Sequence, residues 1–224
     1  MKKLLLISAA AVMLSGCYGD PLFLVRRMAR SDDIEKKMEA SRQYRQAIDI
    51  LTDAYNSYGG LNRDIGQRLM MNRNYALAIK HLELAKEVRT NDGSIYYWLA
   101  VCYVNLLKIE NKPEYMPIID NYYQNALNIT PDNKEFLYAY AQFLVYGSED
   151  YDKAIETLKK YIVLLKSSFY ADAYFLLGRA YYMLERYEEA LRVYNELYAF
   201  EKKLTKEQID KLDEFTRTVK ELIQ

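Results

Sequence analysis

The sequence predicts an all-α fold: an α-solenoid of about five helix-turn-helix units closed by a C-terminal capping helix. Three observations predict it. Of 224 residues, 51% are hydrophobic while only 8 are glycine and 4 proline, so few positions interrupt a helix. The stretch 174–194, YFLLGRAYYMLERYEEALRVY, spaces aromatic, leucine and small residues in a pattern that returns through the chain at intervals of about 34 residues. The chain also holds 23 tyrosines, roughly three times the usual share; many must fill gaps between helices, which leaves some for recognition.

Within 174–194 the residue types solve a packing problem. Two antiparallel helices approach closely only where contact positions are small, and Gly178 and Ala190 are small. Leu177 and Tyr181 share one face of the first helix, and Ala190, Tyr194 and Leu197 share one face of the second. Leu184, Glu185 and Arg186 form the short turn between them. Tyr174, Leu177, Gly178, Tyr181, Ala190 and Tyr194 match the tetratricopeptide-repeat (TPR) signature, and the unit resembles that family.

Taken in order, residues 28–58 read as a degenerate first unit, with Ile34 and Met38 in its first helix and Tyr44, Ala47, Leu51 and Ala54 on one stripe of its second. Residues 59–92 make a full unit, with Ile65, Gly66 and Leu69 followed by Ala78, Leu82 and Ala85. The third, 93–133, carries Tyr96, Leu99, Ala100 and Tyr103 and regains register at Tyr123 and Ala126. Its extra residues fall around 109–117, where Pro113 and Pro117 require a loop or a helix start. Thr130 and Pro131 read as cap and first position of the next helix. Units 134–170 and 171–204 follow. The last segment, 205–224, opens with the capping-box spelling Thr205-x-x-Gln208 and places Ile209, Leu212, Phe215, Val219 and Leu222 on one stripe, as a solenoid cap would.

The N-terminus carries an address. After Met1, Lys2 and Lys3, an apolar run over 4–14 is too short to span a bilayer and reads as a secretory signal, here residues 1–16. Leu14-Ser15-Gly16-Cys17 resembles the bacterial lipobox. That resemblance implies cleavage before Cys17 and a covalent lipid on its sulfur, with 17–27 as lipidated N-terminus and short tether. Tyr18 after the cysteine, by resemblance to Gram-negative sorting rules, favours the periplasmic face of the outer membrane. Arg26, Arg27 and Arg30 follow closely, on a solvated helix face or against anionic headgroups. With Cys17 committed to lipid, Cys102 has no disulfide partner and reads as a buried structural thiol.

Chemistry is sparse. His81 is the only histidine, so no zinc site can be completed, and adjacent acids such as Glu188 and Glu189 point about 100° apart on a helix rather than at one substrate. No phosphate loop, nucleophile elbow or dinucleotide fingerprint is present, so neither catalytic residue, metal nor cofactor is expected beyond the lipid at Cys17. Lys plus Arg and Asp plus Glu balance at 31 each, which argues against nucleic acid.

What remains is a surface for a protein or peptide partner in the cell envelope. The TPR resemblance implies a groove lined by the first helices of successive units. Residue by residue this selects Arg63 and Gln67, with Met70 and Met71; then Tyr97, Val101, Val104 and Asn105, with Trp98 beside them as a fluorescent reporter. Tyr138, Gln142, Val145 and Tyr146 follow, then Phe175, Arg179, Tyr182 and Met183. The carboxylate clamp of the best-known peptide-binding members is not reproduced, with Arg63 and Arg179 the only candidates. The other reading is a small-ligand or transport accessory protein whose tyrosine-lined groove closes into a pocket.

Overall fold

The computed structural model describes residues 22–165 and 169–223, and among these there is helix and turn but no strand. Ten α-helices follow in order: α1 (Phe23–Ala29), α2 (Ile34–Met71), α3 (Tyr75–Val88), α4 (Gly93–Glu110), α5 (Met116–Ile129), α6 (Lys134–Phe143), α7 (Tyr151–Leu165), α8 (Ala171–Met183), α9 (Tyr187–Tyr198) and α10 (Lys206–Ile223). The expected signal segment 1–16 and the lipid site Cys17 lie outside the described residues. The chain divides into two compact units, one ending at Tyr58 and the other beginning at Gly59.

The second unit is a ladder of hairpins. Residues 59–71 of α2 pair with α3, α4 with α5, α6 with α7 and α8 with α9, while α10 packs on α9 and α8. Each pair closes at a small residue of its first helix: Gly66, Ala100, Ala141 and Gly178, all buried. A Cβ at Gly66 would lie 2.6 Å from Leu82 Cγ, and one at Gly178 would overlap the Tyr194 ring. The tightest turns share a device too. Arg73, Glu149 and Glu185 adopt left-handed φ of 61°, 55° and 57°, each two residues before the tyrosine that opens the next helix. Amide-to-carbonyl bonds from Asn74 to Leu69 (2.9 Å) and from Arg186 to Tyr181 (3.0 Å) close two of these turns around their left-handed residues.

Two apolar clusters result. The smaller joins Ala78, Leu82, Ala85, Ile95, Leu99 and Cys102; the larger runs from Ala100 to Val219. Much of the tyrosine excess is spent here. Tyr123, Tyr140, Tyr181 and Tyr194 are buried, and rings meet across hairpins, Tyr123 with Tyr140 at 5.2 Å and Tyr97 with Phe136 at 4.5 Å. Polar staples cross the same junctions: Asp120 of α5 accepts from the Tyr140 hydroxyl of α6 and from Lys153 Nζ of α7 at 2.8 Å.

Three expectations are corrected and two are met. Residues 34–58 contain no turn and so form no hairpin of their own: α2 runs on through Gly59 and Gly60, because Gly59 is where Val88 packs, its missing Cβ leaving room that a side chain would fill at 2.6 Å. Thr130 ends α5 rather than capping α6, whose N-cap is Asn133; its side chain accepts from the Phe136 amide at 3.2 Å. The insertion at 109–117 is as expected: α4 extends to Glu110, and Pro113 and Pro117 each fall at a helix start, Pro113 opening a 3₁₀ turn to Tyr115, whose ring sits edge-on to Tyr103 at 5.4 Å. Residues 23–27 of the expected tether are helical, in α1. The capping box is formed as spelled: Thr205 Oγ1 accepts from the Gln208 amide at 3.2 Å, and Gln208 Oε1 accepts from the Thr205 amide at 3.0 Å.

Candidate binding cleft

Within the second unit, α6, α8 and α10 enclose a cleft of about 540 Å³. Its floor is apolar and buried: Phe175 and Leu176 of α8, the Tyr194 ring of α9 lying over Gly178, and Val219 of α10. Its rim is polar and open, with Gln142, Tyr146, Arg179, Lys211 and Glu214 all exposed.

Local chain geometry sets the rim. After Phe143 the backbone loosens into a π turn over Leu144–Ser148, which rotates the following side chains relative to a regular helix. Within this turn Tyr146 is 62% exposed, while Val145, expected on the groove face, is buried at 3%. The Arg179 guanidinium lies over the Tyr146 ring at 5.2 Å, and Lys211 Nζ lies 4.7 Å from the Phe175 ring and 5.4 Å from Phe215. Asp172 and Glu214 supply two carboxylates against these two cations, so the lining is mixed in charge.

Tyr138 stands at one wall, packed on Tyr161 at 5.3 Å and edge-on to Tyr170 at 5.0 Å. Burial, then its bond with Tyr170, pushes its hydroxyl pKa well above the usual phenol range. Burial does the same to Tyr194, with the Arg179 charge opposing. Both phenols therefore stay neutral at physiological pH, able to donate one hydrogen bond each.

Six residues selected from the sequence come together here: Tyr138, Gln142, Tyr146, Phe175, Arg179 and Tyr182. The other five do not. Arg63 is held by Asp64 at 3.1 Å and Asp92 at 3.4 Å, and the Asn105 side-chain amide bonds the Val101 carbonyl one turn back at 2.8 Å. Tyr97 donates to Glu135 at 3.1 Å while stacking on Phe136, which makes it a packing residue between hairpins. Trp98 packs on the smaller apolar cluster, so it cannot report on the cleft, and Gln67 is half-buried on α2 away from it.

The wall contributed by α10 was missed. Lys211, Phe215 and Thr218 follow one another at four and three residues, one helical face, and that spacing was visible beside the stripe read as a cap. Elsewhere, His81 Nδ1 lies 2.8 Å from Oδ1 of the buried Asn62, and Cys102 is buried, its thiol pKa pushed up to about 12 by that burial. Among the described residues no three His, Cys, Asp or Glu side chains converge as metal ligands, and no helix is long and apolar enough to cross a membrane.

A family model described as anaphase-promoting complex, cyclosome, subunit 3 matches residues 118–197, from α5 to the end of α9. No curated protein matches in sequence. Among solved structures, MamA from Desulfovibrio magneticus RS-1 is 19% identical with a TM-score of 0.56, over 74% of this chain and 94% of that one. YrrB, described as a TPR protein with an unusual peptide-binding site, is 19% identical with a TM-score of 0.51, over 83% and 88%. PilF of Pseudomonas aeruginosa is 18% identical with a TM-score of 0.50, over 75% and 76%. At such identities the likeness is one of fold, and the fold is the all-α solenoid of TPR proteins.

Proposed function

We propose that this TPR chain is a lipid-anchored scaffold of the bacterial cell envelope, attached through Cys17 at the periplasmic face of the outer membrane, and that it binds a segment of another protein in the cleft between α6, α8 and α10. The observation that carries the binding reading is the division of that cleft into a buried apolar floor and an exposed, charge-mixed rim. An apolar side chain of the partner fills the floor. Arg179, Lys211, Gln142 and the phenols of Tyr138 and Tyr182 hold its backbone and flanking charges, in the manner of interfaces built from aromatic anchors and a polar rim. The exposed rim favours a peptide or protein segment over an enclosed small molecule, although the volume lies within the range of small-ligand sites. That YrrB is described as having a peptide-binding site supports such a use of the fold.

The anchor reading rests on the Leu-Ser-Gly-Cys spelling after a short apolar run. Cys17→Ser is expected to move the protein from the membrane fraction to the soluble one, and detergent-free solubility of the wild type would count against it. For the cleft, photo-crosslinking from position 146 in cells identifies the partner. Tyr138→Ala with Tyr182→Ala is then expected to weaken its binding about thirtyfold or more, whereas Arg63→Ala, at a side chain already paired, leaves it within about twofold. Equal losses from both changes would place the contact elsewhere.

A further inference from the structure

Within the first unit, α1 begins close to the expected anchor. From Cys17 to Phe23 the chain runs 23 − 17 = 6 residues, which even fully extended span at most about 20 Å, so α1 stays beside whatever surface holds that cysteine. The outward face of α1 suits such a place. Phe23, Arg27 and Arg30 follow at steps of four and three residues on the side opposite the buried Val25, and Phe23 and its neighbour Leu24 are 61% and 67% exposed. Aromatic and apolar side chains beside arginine are what a helix lying in a headgroup layer presents.

Where α1 gives way to α2, Ala29 and one face of α2 line a pocket of about 500 Å³. Lys37, Ser41 and Arg45 stand there one turn apart, so two cations flank a hydroxyl, with Ala40 and Ile48 as apolar wall and Asp49 as the one acid. Two acids of the same corner are already engaged. Asp33 accepts from the Glu35 amide at 2.9 Å and pairs with Lys36 at 3.5 Å, and Glu39 pairs with Arg42 at 2.8 Å. Among the described residues, Arg27, Arg30, Lys37 and Arg45 form no ion pair. The corner therefore offers four cations and an apolar wall to a partner that is itself anionic and partly apolar.

We infer that this corner binds the phosphate-bearing headgroup of an anionic phospholipid, in the membrane that the lipid on Cys17 enters. Lys37 and Arg45 hold the phosphate and Ser41 donates a hydrogen bond to it, while the outward face of α1 lies among neighbouring headgroups, its arginines drawn to their charge. A free inorganic anion would use the cations but gain nothing from Ile48, Phe23 and Leu24; a lipid uses both. The inference rests on the anchor reading above and gives that anchor a second contact, as stable attachment by lipid chains and a basic surface together requires. It concerns the first unit alone and is independent of the cleft.

The test uses the full lipidated chain in vesicles of phosphatidylcholine, alone or with about a third phosphatidylglycerol, and follows acylation of Lys37 by a water-soluble reagent with mass spectrometry. Lys37 is expected to react at least about fivefold more slowly in the anionic vesicles, the effect of roughly one such charge contact, and to recover its rate in high salt. Arg27→Glu, Arg30→Glu and Arg45→Glu together are expected to bring the two rates within about twofold of each other, with the melting of the hairpin ladder unchanged. Equal rates for the wild type in the two kinds of vesicle would overturn the inference and leave the anchor standing. Slowing of the same size by inorganic phosphate in detergent would overturn it too, assigning the pocket to a free anion. A chain that leaves the vesicles without detergent would overturn the anchor and this inference together.

Discussion

The face chosen from sequence on α2 and α4 and the face chosen on α6 and α8 were read from the same spacing, yet they end in different states. On the earlier helices the polar and aromatic side chains are consumed internally: Arg63 by Asp64 and Asp92, Tyr97 by Glu135 and Phe136, Asn105 by its own helix. On the later helices the equivalent side chains border a cleft, because α10 packs on α8 and α9 and supplies a wall opposite them. Helical position selects a face. Whether that face is free to bind is decided by what its neighbours offer as partners, since a buried or half-buried polar group takes whichever hydrogen bond is nearest.

The sharpest contrast between the halves lies at their close-contact glycines. Gly178→Leu would drive atoms into the Tyr194 ring, which is fixed between α8 and α10, and is expected to cost about 3 kcal/mol or more. Gly66→Ala is a smaller insertion, placing its Cβ 2.6 Å from Leu82 Cγ and 3.2 Å from the Leu82 backbone nitrogen, and is expected to cost about 1–2 kcal/mol. Melting of the two variants beside wild type measures both. Equal costs would mean that the two hairpins pack alike and that the comparison fails.

Alkaline titration probes the junction between the halves. Burial, then the Asp120 hydrogen bond, pushes Tyr140 up to about 12, and Lys153 is also raised to about 12: burial pulls it down, but its bonds with Asp120 and Tyr140 outweigh that. Both folded values exceed those of the unfolded chain, which lie near 10. The stabilisation is thus fully present below about pH 10 and is lost as pH rises toward 12. Melting temperature is expected to hold from pH 7 to 9.5 and fall steeply above pH 10.5, with Asp120→Asn shrinking that fall. A flat profile in wild type would show that the Asp120 staple does not hold the junction.

The smallest expected effect is at the cap. Thr205→Ala removes one half of the capping box at the start of α10 and is expected to cost about 1 kcal/mol. Because α10 walls the later cleft and packs chiefly on α9 and α8, partner binding is expected to weaken with it while hydrogen exchange in α4 stays unchanged. Faster exchange in α4 would argue that the ladder opens as one body.

The hairpin ladder was legible wherever a small residue faced a large one at fixed distance, as Gly178 faces Tyr194 or Gly66 faces Leu82. It was misread where the same residue type serves another purpose. Gly59 and Gly60 look like a boundary between helices, yet Gly59 is small to admit Val88, and α2 passes straight through. Thr130 and Pro131 look like a helix start, but Asn133 supplies a working cap two residues later. The cleft was half legible: the α6 and α8 residues follow from helical period, but the role of α10 depends on a fold-back that no local pattern encodes. The stripe of Tyr44, Ala47, Leu51 and Ala54 was read as the second helix of a hairpin, but it belongs to α2, which runs unbroken from Ile34 to Met71.

In the ladder each helix packs chiefly on those next to it in sequence, and the cleft is closed by the last helix of the chain. Structures dominated by local contacts form quickly and can grow from one end. A chain released N-terminus first can therefore complete its first three hairpins, α2–α3 through α6–α7, while its end is still being made or delivered. The cleft then appears only when residues 206–223 arrive. A chain truncated before Lys206 is thus expected to keep its hairpins and to lack the wall that completes the cleft.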